Sequence, residues 1–156
     1  MNNLGHLARG VNRLTTLIAK QGEGSWLTDV HNKKYLDMTS GIGALSTGHS
    51  HPKVIEKVKE QLDAIVHAQQ NCVATHVPQI ELVDKVRDIL PKKMDTFFFT
   101  NSGSEAVENA VKIARKATKK SNIITFIGGF HGRTLGCMSL TTSKSSSREG
   151  YQPLLP

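Results

Sequence analysis

Apolar positions recur along this chain with two periods. Between residues 52 and 67, Val54, Ile55, Val58, Leu62, Ile65 and Val66 fall three or four apart. That spacing predicts an amphipathic helix, and Pro52 suits its first position. Ile80, Val83, Val86 and Leu90 predict a second helix over residues 78–90, stopped by Pro91. A third covers residues 105–118, with Val107, Ala110, Val111 and Ala114 on one face and Glu108 paired to Lys112 four residues on. Leu4, Leu7, Val11, Leu14 and Ile18 predict a helix within residues 1–22. Elsewhere the runs are short. Residues 24–28 and 34–38 flank the polar segment 29–33 and read as a β-hairpin. Residues 96–100 and 122–127 are almost wholly apolar, the pattern of buried parallel strands. Strand, glycine turn, helix and strand would make a right-handed βαβ unit, so the expected class is α/β.

Composition narrows the reading. The 156 residues suffice for one ordinary domain of roughly 100–150 residues. No run of about 18 apolar residues occurs, so no membrane association is expected. Twenty Lys+Arg against 13 Asp+Glu give +7, but the basic pairs are dispersed among acids and aromatics make up only 5%. Nucleic acid, which needs a clustered footprint and stacking platforms, is not an expected partner; small anions suit the excess better. Cys72 and Cys137 make no disulfide framework, which points to a reducing, intracellular compartment. The acid-free, basic residues 1–22 resemble a mitochondrial transit peptide. With two arginines and no serine, an ordinary helix is the favoured reading of them. A cytoplasmic location is therefore expected, with the mitochondrial matrix as the alternative.

Candidate chemistry concentrates in two glycine-containing segments. Residues 101–104, Asn-Ser-Gly-Ser, lie at the carboxyl end of a predicted strand and open a helix, where ligands bind in open α/β sheets. Free amides, the helix dipole, Gly103 and the Ser102 and Ser104 hydroxyls would form a phosphate cup. A plain N-cap, with Ser102 as cap and Glu105 in the first turn, fits the spacing equally well. Gly128-Gly129-Phe130-His131-Gly132-Arg133-Thr134 follows the second strand. Phe130, His131 and Arg133 there can stack on a planar ring and bind a carboxylate, or serve as core, loop and surface residues. Glycine is dense around Ile42, at Gly41, Gly43 and Gly48. His49, His51, His67 and His76 lack a compact set of metal ligands, so no metal is expected.

Together these segments resemble the class III pyridoxal-phosphate aminotransferases, the 4-aminobutyrate branch most closely. The matching stretches are Gly22-Glu23-Gly24 through Tyr35-Leu36-Asp37, Ser40-Gly41-Ile42 through His51-Pro52-Lys53-Val54, residues 100–115 and residues 129–134. The resemblance implies a fold-type I architecture. Residues 1–50 would form a small α+β lobe with the hairpin, and residues 51–156 the start of the large cofactor-binding domain with a mostly parallel sheet. It implies pyridoxal 5'-phosphate as cofactor, held by Ser102, Gly103 and Ser104, with Phe130 stacked on the ring and His131 beside it. Ile42 and Arg133 would bind substrate, Arg133 through a carboxylate. The implied activity is transamination of an ω-amino acid with a 2-oxo acid acceptor, in a homodimer with active sites at the subunit interface. The family's Schiff-base lysine and its pyridinium-binding aspartate have no counterpart in this chain, so no catalytic residue is assigned. A piece of a longer enzyme, inactive alone, is expected. The alternatives are a binding or structural piece, or a same-family aminomutase or decarboxylase.

Overall fold

The computed structural model describes residues 4–7, 13–70 and 72–155. It divides into two compact units, Met1–Val77 and Pro78–Pro156.

In the first unit, β1 (Ala19–Glu23), β2 (Trp26–Asp29) and β3 (Lys34–Leu36) form an antiparallel sheet in the order β1-β2-β3. The predicted hairpin is β2–β3, with Trp26 opposite Leu36 and Thr28 opposite Lys34. Asp29 fixes its turn. The carboxylate accepts the His31 and Lys33 N–H groups at 2.8 and 2.9 Å and the Tyr35 hydroxyl at 2.9 Å. This is how aspartate side chains substitute for backbone partners in turns. The helix expected in residues 1–22 is not formed at 13–22, where 13–18 are irregular and 19–22 belong to β1; residues 1–3 and 8–12 of that span lie outside the described residues. Ladder bonds to β2, and the Val30 N–H on the Ile18 carbonyl at 3.0 Å, outweigh a weak helical spacing rich in threonine and glycine. After a one-turn segment α1 (Ser40–Gly43) comes α2 (Pro52–Ala64), which starts at Pro52 as its sequence predicts.

The second unit opens with α3 (Val77–Arg87) and is built around α4 (Gly103–Thr118) and α5 (Leu135–Leu140). Its core lies where these two helices meet. Cys137 and Met138 are the buried apolar residues among those described, and Thr141 is fully buried beside them. The predicted Glu108–Lys112 pair does not form. Glu108 accepts the Thr134 hydroxyl at 2.5 Å, while Lys112 Nζ reaches Asn109 at 3.4 Å.

The predicted strands at 96–100 and 122–127 are a second difference. Neither has a ladder partner, so no βαβ unit and no parallel sheet are present among the described residues. Parallel strands need hydrogen-bonding neighbours, and two isolated runs cannot supply them. Ile124, Phe126 and Ile127 stand in solvent, 96%, 89% and 99% exposed, whereas Phe97, Phe99 and Ile123 are partly covered. No described helix is long and apolar enough to cross a membrane.

Candidate functional site

The second unit brings together two segments 25 or more residues apart. Ser102 is extended (φ −151°, ψ 158°), and its Oγ accepts the Glu105 N–H at 3.2 Å, so it caps α4. Glu105 reaches back to accept the Asn101 N–H at 2.6 Å, a reciprocal capping arrangement. The N–H groups of Gly103 and Ser104 have no intrahelical acceptor, and they sit at the positive end of the helix dipole. A β-carbon on Gly103 would meet no heavy atom within 4 Å, so the side-chain position of this glycine is open. Capping by Ser102 therefore leaves the surroundings of Gly103 uncrowded. Gly103 has a helical backbone and is not among the glycines of positive φ, so no left-handed turn requires a glycine there.

Residues 129–134 fold onto this helix start. Gly132 has φ +125°, and a β-carbon there would overlap the Ser104 hydroxyl and lie 3.0 Å from Cys137 Cβ. Only glycine fits that approach. Cys137 Sγ donates to the Ser104 carbonyl at 3.3 Å. Thr134 caps α5 by accepting the Cys137 N–H at 3.4 Å, and its hydroxyl ties α5 to Glu108 on α4. Phe130 is half exposed, and the Arg133 guanidinium carbon lies 5.7 Å from its ring centroid. The His131 N–H donates to Thr141 Oγ1 at 3.0 Å, whereas its Nε2 is buried without a partner. Free amides, an aromatic face, an imidazole with an unused nitrogen and a guanidinium therefore occupy one unit. That donor set suits a planar, anionic group: amides for the anion, Phe130 for the ring, Arg133 for a carboxylate.

Ile42 belongs to the first unit. Ser40, Gly41, Ile42 and Gly43 have φ of 48°, 62°, 61° and 79°, a left-handed turn closed by the Ala44 N–H on the Ser40 carbonyl at 2.9 Å. For a β-branched residue this conformation is strained, and the Ile42 side chain is 94% exposed. Asp37 anchors the turn, accepting the Thr39 hydroxyl at 2.6 Å, the Thr39 and Ser40 N–H groups at 2.9 and 3.1 Å, and pairing with His49 Nε2 at 2.8 Å. The Thr39 hydroxyl, then the His49 ring and the two N–H groups, hold its carboxyl well below the usual range. His49 is thereby a partner of Asp37. Among the described residues no group of three or more His, Cys, Asp or Glu is placed to hold a metal ion.

Sequence reasoning missed Asp37, Thr134, Thr141 and α5 itself. Thr134 before an apolar run was the available signal for α5, since threonine is a common cap. Nothing in a linear pattern marks Thr141.

The comparisons with known proteins agree with this architecture. An omega transaminase from Pseudomonas jessenii, solved in complex with PMP, superposes with a TM-score of 0.81 at 31% identity, over 90% of this chain and 32% of that one. The fold is accordingly that of the fold-type I transaminases. The family model described as aminotransferase class-III matches residues 7–156, and the chain belongs to that family. Relatives include an acetylornithine aminotransferase of Archaeoglobus fulgidus, 42% identical over 89% of this chain and 36% of the relative. A probable 4-aminobutyrate aminotransferase of Bacillus subtilis is 42% identical over 96% of this chain and 34% of its own length. The chain spans about a third of the length of these relatives.

Proposed function

We propose that this chain is the part of a longer, pyridoxal-phosphate-dependent aminotransferase that binds the cofactor phosphate and ring and a substrate carboxylate. The observation that carries the reading is the closure of the 129–134 loop over the α4 start, with Gly132 against Ser104. In this reading the Gly103 and Ser104 amides and the Ser104 hydroxyl hold the phosphate, and Ser102 preserves the helix start as its cap. Phe130 stacks on the pyridine ring. The unpartnered His131 Nε2 fits a polar group beside it. Arg133 orients the donor through its carboxylate, and Ile42 lines the substrate side. When bound, the cofactor supplies the electron sink for amino-group transfer. The anchoring lysine and the acid facing the ring nitrogen come from the rest of the enzyme, as does much of the pocket. Residues 1–50 serve as the small lobe and residues 51–156 as the start of the cofactor-binding domain of a homodimer, acting in the cytoplasm. An ω-amino acid donor of the 4-aminobutyrate type and a 2-oxo acid acceptor are the favoured substrates. The likeness to a probable 4-aminobutyrate aminotransferase supports the donor.

Two variants of the enzyme test the phosphate position by titration with pyridoxamine phosphate. Gly103→Val places a side chain where the anion would sit, in space that is otherwise empty. It should raise the dissociation constant at least about tenfold without melting α4. Ser102→Ala removes a cap and should lower stability by about 1 kcal/mol, with a smaller effect on affinity. If Gly103→Val binds like the unmodified enzyme, the phosphate is elsewhere.

A further inference from the structure

We propose that Thr141 is a positioning residue, whose buried hydroxyl sets the orientation of the loop that presents Phe130 and Arg133. The inference rests on the site reading just given and adds a residue outside the matched loop. Thr141 follows α5 and is 0% exposed. Its Oγ1 accepts the His131 N–H at 3.0 Å, and its single proton is shared between the Cys137 carbonyl at 3.0 Å and the Gly132 carbonyl at 3.2 Å. The His131 N–H belongs to the peptide that follows Phe130, and the Gly132 carbonyl to the peptide that precedes Arg133. One hydroxyl therefore holds the peptide planes adjoining both residues. A hydroxyl is suited to this because it donates and accepts at one point.

Other bonds near Thr141 do not duplicate that grip. The Thr142 and Ser143 N–H groups bind the Gly129 carbonyl at 2.8 and 3.1 Å, and the Thr142 hydroxyl binds the Phe126 carbonyl at 2.9 Å. They stitch the loop's base to residues 142–143. The Thr141 N–H itself bonds back to the Cys137 and Met138 carbonyls as the end of α5. All of these survive loss of the Thr141 hydroxyl, so removing it releases residues 131 and 132 selectively.

Thr141→Val keeps the shape and deletes the hydroxyl, while Thr141→Ser keeps the hydroxyl and deletes a methyl. In the 156-residue chain, amide exchange at His131 should accelerate about tenfold or more in Thr141→Val, and Thr141→Ser should restore protection. Amides within α4 should be unchanged in both. In the holoenzyme, measured well below either melting temperature, Thr141→Val should raise the pyridoxamine phosphate dissociation constant at least about fivefold, with Thr141→Ser near the unmodified value. Unchanged His131 exchange in Thr141→Val overturns the proposal. So does faster exchange with unaltered cofactor affinity, which would make Thr141 a packing residue only. Gly103→Val, run alongside, separates the two failures: if it weakens binding while Thr141→Val does not, the site stands and the positioning role falls. If neither weakens binding, the site reading itself is wrong, and this proposal with it.

Discussion

Arg133 is held by a contact that costs little to lose. Its guanidinium lies over the half-exposed Phe130 ring, and such a cation–π pair at an open site stabilises by about 0.5–1 kcal/mol. Replacing it should leave the fold of the second unit nearly unchanged. Its proposed role is different in size, because a charge-assisted bond to a carboxylate in a closed site is strong. Arg133→Ala in the enzyme should therefore lower kcat/KM for a carboxylated donor at least about tenfold, while pyridoxamine phosphate binding moves little. Equal kcat/KM for variant and parent would remove Arg133 from the substrate site. At this scale the sequence was partly legible. Phe130, His131 and Arg133 could be picked out by chemical type, and Ser102 by its place before a helix. The need for glycine at 132 was not legible. It arises from a hydroxyl on Ser104, 28 positions away, and no local spacing encodes that approach.

At the scale of elements, the first unit depends on carboxylates that replace backbone partners. Asp37 joins the end of the hairpin to the left-handed turn and to His49, whose backbone in turn bridges to Gly24 through bonds of 2.9 and 2.7 Å. Asp29 closes the hairpin turn. Burial works against its charged form, but the Lys33 N–H, the Tyr35 hydroxyl and the His31 N–H together lower its carboxyl below the usual value. Both acids titrate lower folded than unfolded. Their contribution is therefore present above the ordinary value of 3.8 and is lost as the pH falls through the folded values. Trp26, the sole tryptophan, lies in β2 and reports on this unit alone. Its fluorescence should show a stable unit at about pH 5 and progressive loss toward about pH 2. Asp37→Asn should be less stable at neutral pH and show a shallower acid dependence. An acid profile identical to the parent's would mean the Asp37 network does not support the turn. The helices were the most legible elements, because α2, α3 and α4 each carry a long 3.6-residue period. The missed strand β1 has no such signal. Its residues, Ala-Lys-Gln-Gly-Glu, have no apolar alternation, and the strand exists because β2 pairs with it.

On the scale of the whole molecule, the apolar surface is too large for the layers present. The α2 face that the sequence marks as inward carries Val54, Val58 and Leu62, each about half exposed. The run 122–127 presents Ile124, Phe126 and Ile127 almost entirely to solvent. Here the sequence pattern and the structure disagree for a physical reason. Periodicity reports what a residue is selected to be packed against, and a parallel sheet is packed only when its neighbouring strands are in place. The chain accounts for about a third of the length of its relatives, which is consistent with an incomplete sheet. An unpaired, β-prone, uncharged run such as Asn-Ile-Ile-Thr-Phe-Ile is a template for pairing with another copy. The 156-residue chain should consequently self-associate in a concentration-dependent way, through this segment. Ile124→Lys and Ile127→Lys put a charge on the run at positions that have no packing to lose. Together they should shift light scattering toward the monomer and leave the unfolding free energy within about 0.5 kcal/mol of the parent's, as for other surface changes. Lysine at the exposed Leu14, in the first unit, serves as the control for added charge alone. If the control disperses the chain equally well, net charge governs association. If neither substitution in the run reduces scattering, another surface pairs the copies, and the α2 face is then the next to charge.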